Sequence, residues 1–171
     1  MRRGEQGQKK RKVLWGIVAV IGVLGLLSIV VLQNADTKIP PNRIVTDLGD
    51  SSILPDSIEE VKATDGKTPE FSGDNGSMFV ITDQDSCGWK LEAGERLECI
   101  FEKETEQYGD NQAMAIGYVA DGVMYPPQLF QEEETGTYQI TATEAGEYYI
   151  YILCASSDPI TLKEVEIQSF Q

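Results

Sequence analysis

The sequence predicts an all-β, antiparallel β-sandwich outside a membrane, preceded by one transmembrane helix and an extended linker. Three observations carry this. Residues 13–32 run for twenty positions without a charge. From Phe71 onward, short apolar runs alternate with a two-residue period and are separated by polar turns. Charge is also divided sharply along the chain. Six of the fourteen basic residues, and one of the twenty-eight acidic ones, precede the apolar run. That leaves eight basic against twenty-seven acidic residues from Gln33 onward, a net charge of −19.

The apolar run reads VLWGIVAVIGVLGLLSIVVL. At about 1.5 Å per residue it spans roughly 30 Å, the thickness of the hydrocarbon core. A helix satisfies its own backbone groups, as lipid requires. Arg2, Arg3, Lys9, Lys10, Arg11 and Lys12 before it place residues 1–12 in the cytoplasm, as a basic tail. A cleaved signal peptide would have a shorter apolar core and small residues at its cleavage site, where this chain has Gln33. A lipoprotein needs a cysteine just after the run, and the first cysteine is Cys87. The expected arrangement is an uncleaved single-pass signal anchor with an extracellular C-terminal domain.

Residues 33–70 read as a linker rich in Pro, Asp and Ser. Within it, Ile53-Leu54 and residues 56–61 can form a strand or a helical turn docked on the domain. Residues 71–171 carry the sandwich. Met78-Phe79-Val80-Ile81-Thr82 is one strand. Between residues 96 and 103, Leu97, Cys99 and Phe101 share one phase, and Arg96, Glu98 and Glu102 the other. Asp121-Gly122 joins two strands as a tight hairpin, since both residues tolerate left-handed backbone. Residues 137–142 form another strand. Residues 147–154 are apolar on both faces, as a central strand is, and residues 161–167 close the domain. Seven or eight such strands with polar turns make a sandwich.

Composition excludes several functions. The chain has no histidine, which removes the commonest general base and the Ser–His and Cys–His nucleophile pairs. A domain this acidic repels phosphate backbones, so nucleic acid is not an expected partner. A carboxylate-based glycan hydrolase needs two carboxylates facing across a cleft, and twenty-seven candidates select no pair.

Few residues stand out as sites, and no cofactor is called for. Asp83 and Asp85 share a turn, as calcium ligands often do, although turn chemistry alone accounts for them. Cys99 and Cys154 lie in inward phases; they are either a disulfide pair or buried thiols. Cys87 is placed in a loop. Tyr118, Tyr125 and Phe130 gather around the hairpin with Pro126 and Pro127, forming a ligand surface if exposed and core if buried.

Four stretches then suggest a family. They are Trp89-x-Leu91-x-Ala93-Gly94, Gly117-Tyr118-Val119-x-Asp121-Gly122, Ala145-Gly146-Glu147-Tyr148-Tyr149-Ile150, and Ser156-Ser157-Asp158-Pro159-Ile160-Thr161-Leu162. Over residues 71–171 they resemble the small jelly-roll ectodomains of Gram-positive membrane proteins, some joined to antibiotic-sensor-type metallopeptidases. The same stretch is similar to bacterial pre-peptidase C-terminal domains. The metallopeptidase zinc motif is absent, so peptidase activity does not follow. The resemblance implies a non-catalytic accessory or sensing module engaging a partner membrane protein or a cell-wall component; a carbohydrate-binding module is the alternative.

Overall fold

The computed structural model describes residues 43–49, 54–104 and 112–171. The basic tail, the apolar run and the first part of the linker lie outside these residues. The described residues belong to one compact unit, Ile39–Gln171. Among them every regular element is a strand.

The strands are β1 (Ser57–Lys62), β2 (Phe71–Gly73), β3 (Ser77–Thr82), β4 (Trp89–Leu91), β5 (Arg96–Lys103), β6 (Met114–Ala120), β7 (Val123–Met124), β8 (Gln128–Phe130), β9 (Thr135–Thr141), β10 (Gly146–Cys154) and β11 (Ile160–Phe170). One sheet has seven strands in the order β1-β3-β10-β6-β7, with β4 pairing β10 and β8 pairing β6. The other has four, in the order β2-β11-β5-β9. The domain is therefore an all-β structure of two sheets.

Strand β10 shows how the sequence builds this. Tyr148, Ile150, Ile152 and Cys154 join the core that also holds Leu97, Cys99 and Phe101 of β5 and Val165 and Ile167 of β11. Tyr151 and Leu153 point the other way, into a second core with Met78, Val80, Ala115 and Val119. A strand apolar on both faces belongs inside a sheet covered on both sides, and β10 has β3 on one side and β6 on the other. The Asp121-Gly122 hairpin forms as expected, with both residues at positive φ, 50° and 80°.

Two features differ from the sequence expectation. The sheets are not wholly antiparallel, because β1 pairs β3 in parallel. Between them the chain crosses to the smaller sheet as β2 before returning, which is the kind of crossover a parallel pair needs. The folded domain also begins well upstream of Phe71. β1 is an edge strand, Ala63 and Thr68 are buried, and Thr64 and Lys67 close a hairpin over Asp65-Gly66 by exchanging backbone hydrogen bonds. Farther upstream, Ile44 and Val45 are buried in the second core. Edge strands keep charged residues outward, so Glu59, Glu60 and Lys62 give this structured stretch the composition of a spacer.

Candidate functional site

The Asp121-Gly122 hairpin brings Tyr118, on β6, against Tyr125, just past β7. The Tyr125 amide donates to the Tyr118 carbonyl at 2.9 Å. The two rings stack with centroids 4.4 Å apart and planes 9° from parallel. Tyr148 adds a third ring 6.0 Å from Tyr118, and its hydroxyl donates to the Glu144 carbonyl. Tyr118 is half-buried, while Tyr125 is 39% exposed. Burial, followed by the neighbouring Tyr125 and Tyr148, pushes the Tyr118 hydroxyl above its usual pKa.

The segment that follows is held in place from beneath. The Tyr151 hydroxyl donates to the Tyr125 carbonyl at 2.7 Å, its ring lying where a Cβ on Gly117 would collide. Pro126 and Pro127 follow, and neither has an amide hydrogen to offer along the sheet edge. On β8, Leu129 is 49% exposed and Phe130 only 5%. Phe130 packs edge-on against Phe101 at 5.0 Å. Of the three aromatics singled out, Tyr118 and Tyr125 form a surface pair, whereas Phe130 is core. The alternation of β8 explains this, because it turns Phe130 inward and Leu129 outward.

A second concavity lies between the Asp65-Gly66 hairpin and the loop from Asp83 to Gly88. It has a volume of about 240 Å³ and is lined by Ala63, Asp65, Gly66, Asp83, Gln84 and Trp89. Both walls are fixed. Asp83 Oδ1 accepts from the amides of Asp85 (2.9 Å) and Cys87 (2.8 Å). Arg43 Nη2 donates to the Ser86 carbonyl at 2.7 Å, and Gly66 accepts from the Ile167 amide at 2.7 Å. The proposed calcium pair is thus partly occupied by its own loop, since Asp83 closes the turn that holds Asp85. Among the described residues, no three His, Cys, Asp or Glu side chains are grouped to hold a metal. In the sequence Trp89 stands out only within the stretch of family resemblance; in the fold it opens β4. The hairpin opposite it lay in the supposed linker, so no local pattern joined the two.

All three cysteines are free thiols, and the Cys99–Cys154 bond considered from the sequence is not formed. Cys99 sits in mid-β5 between Tyr138 and Ile167 of the adjacent strands. Cys154 ends β10 opposite Met114, and its carbonyl accepts from Gly76. Burial pushes the Cys99 thiol upward. Burial, then Asp74, pushes the Cys154 thiol up to about 12. Both behave as small apolar residues. Cys87 is exposed.

Lys103 is a further residue the sequence reading passed over. It occupies the inward phase of β5 and is buried. Its ammonium donates to the carbonyls of Gln112 (3.1 Å) and Gln131 (3.3 Å). Burial lowers its pKa against the opposing pull of Glu133 and Glu134. The phase that placed Leu97, Cys99 and Phe101 inward was the signal available for it.

No protein-family model matches the chain, and no curated protein matches it. Among solved structures it is similar to the pre-peptidase C-terminal domain of collagenase from Bacillus anthracis, at 12% identity and a TM-score of 0.38, covering 65% of this chain and 94% of that one. It is also similar to PliG of Aeromonas hydrophila, a periplasmic inhibitor of g-type lysozyme, at 15% identity and a TM-score of 0.36, covering 65% and 99%. These are likenesses in the course of the chain and carry no inference about function. The pre-peptidase C-terminal domain that the sequence resembles is thereby among the solved structures to which this chain is similar.

Proposed function

We propose that this chain is a non-catalytic binding or accessory module of jelly-roll type. In this reading, residues 13–32 anchor it in the cell membrane of a Gram-positive bacterium. Its N-terminus lies in the cytoplasm, and its sandwich engages a partner membrane protein or a cell-wall component outside. The observation that supports it best is the aromatic edge. Among the described residues three large apolar side chains are exposed, Leu54, Tyr125 and Leu129. Two of these flank Pro126-Pro127 on one edge of the larger sheet, beside the Tyr118 stack. Tyr125 is stacked on Tyr118 on one side of this edge and Leu129 stands on the other side, opposite Ala115; exposed apolar side chains at one edge of an acidic domain are what supports a contact there.

Carbohydrate binding is the second reading, and it draws on the same exposed ring of Tyr125. A hydrolase is less favoured: none of the buried polar residues described, Thr68, Thr82, Lys103 and Ser156, is a carboxylate, and of the two carboxylates that line the cleft at Trp89, Asp83 already accepts two amides of its own loop. The test is a crosslinking pull-down of the full chain from membranes, alongside Tyr125→Ala. Recovery of one stoichiometric membrane protein, lost with Tyr125→Ala, supports a protein partner. Retention on purified cell wall, lost with the same variant, supports a wall component. Equal recovery of both chains, or recovery of neither target, overturns the reading.

A further inference from the structure

The cleft at Trp89 combines an indole with two carboxylates that enter no ion pair among the described residues. Among the described residues, the ion pairs join Arg43 to Glu60, Lys67 to Glu164 and Glu166, and Lys163 to Glu102. None reaches Asp65 or Asp83. Three basic side chains of the surrounding segments have other partners. Arg43 also holds the Ser86 carbonyl, Lys62 approaches the Gln84 carbonyl at 3.4 Å, and Lys67 leaves the hairpin tip for β11 at 2.7 Å from Glu164. Trp89 is half-buried at the cleft. Indole is the aromatic group that attracts cations most strongly.

Size and rigidity narrow the ligand further. About 240 Å³ falls below the roughly 300–1,000 Å³ of pockets for drug-sized ligands. It suits one side chain rather than an extended molecule. The walls are already in place: Asp65, Gly66 and Ser86 hold positive φ of 53°, 80° and 64°, within the hydrogen bonds described above. A preformed site of this kind orders little of itself on binding. With −19 net charge from Gln33 onward, anions are repelled and cations drawn in.

We infer that the Trp89 cleft is a subsite for a guanidinium or ammonium side chain of a basic segment in a partner polypeptide. This deepens the binding-module reading and rests on it only for the existence of a partner; the aromatic edge plays no part in the argument.

The test uses the full chain in lipid nanodiscs, labelled with 5-fluorotryptophan. The sequence has two tryptophans, Trp15 and Trp89, and Trp15→Phe assigns their fluorine signals. Acetyl-arginine amide and acetyl-lysine amide are titrated in, with acetyl-glutamate amide and N-acetylglucosamine as comparators. The expected result is a saturable shift of the Trp89 signal with the two cations alone. Asp65→Asn weakens it roughly two- to fivefold, the worth of an exposed charge contact. Asparagine tolerates the left-handed backbone at this position, and an unchanged Trp89 signal before titration shows that the variant is folded. No saturable shift, an equal response to N-acetylglucosamine, or indifference to Asp65→Asn overturns the proposal. If Trp89 stays silent while capture through Tyr125 stands, the cleft alone fails; if Trp89 responds and capture does not occur, the aromatic edge fails instead.

Discussion

The outer faces of the two sheets follow the same two-residue alternation and arrive at opposite surfaces. On the four-stranded sheet, β5 presents Arg96, Glu98, Ile100 and Glu102, while β9 presents Thr135, Thr137, Gln139 and Thr141. These residues meet water. On the central strands β3, β6 and β10 of the seven-stranded sheet, the outward side chains Met78, Val80, Ala115, Val119, Tyr151 and Leu153 are buried. Ile44 and Val45 pack among them. The Thr46 and Asp47 amides donate to the Gly122 carbonyl, and the Met124 amide to that of Asp47. Both sheets take in residues upstream of Phe71, since Gly66, Lys67 and Thr68 pair along β11; the difference teaches that the outer face of one sheet can stay in water, whereas that of the other needs a strap to cover it. In the proposed topology, that strap is the path between the membrane and the domain.

The comparison breaks most severely with a charge on each outer face. Leu153→Asp buries an unpaired carboxylate and should cost more than about 3 kcal/mol, enough to abolish the cooperative thermal transition. Thr137→Asp, on the smaller sheet, should stay within about 0.5 kcal/mol. Thermal unfolding followed by circular dichroism separates the two. The double variant Ile44→Ala, Val45→Ala tests the strap itself. A loss of about 2–4 kcal/mol in urea unfolding is expected from the removed apolar contacts. A change below about 0.5 kcal/mol would return residues 43–49 to the role of a spacer.

A smaller effect comes from the strap's ion pair. Arg43 donates to Glu60 at 3.1 Å, and Thr82 Oγ1 to the same carboxylate at 3.0 Å. Burial pushes Glu60 upward, but its hydrogen bonds with Ser86, Thr82 and Arg43 and the charge of Arg43 outweigh that. The net result is a pKa below the ordinary 4.5. A carboxylate lowered in the folded state stabilises above its unfolded pKa, and that stability is lost as pH falls through the folded value. Amide exchange over residues 43–49 should therefore quicken as pH drops below about 4.5 relative to the intrinsic rate. In Glu60→Gln this pH dependence should flatten.

The parts legible in the sequence were those specified by nearby residues. Asp121-Gly122 is its own hairpin signal, and it placed Tyr118 beside Tyr125. The doubly apolar stretch of β10 announced a central strand. What remained hidden depended on distant pairing. Residues 56–61 left a strand and a helical turn both open, because this edge strand turns a single apolar residue to each core, Val61 to one and Ile58 to the other, and keeps its charges in water. Ile44 and Val45 are two apolar residues among polar ones, and only the outer face of β3, β6 and β10 gives them a purpose. The Trp89 cleft joins a loop to a hairpin almost twenty residues earlier, which no periodicity reports. Lys103 was visible by phase, but its charge argued for the surface until two backbone carbonyls were found to receive it.

A small effect on stability should accompany the largest effect on binding. Tyr125→Ala removes a partly exposed ring and should cost about 1 kcal/mol or less. The most direct measurement places a photo-crosslinking amino acid at position 125, at 129 or at 137 in the full chain, in membranes that retain their cell wall. The account predicts one discrete adduct from positions 125 and 129 and none from 137, on the polar face. Adducts of equal yield at all three positions, or from 137 alone, would contradict it.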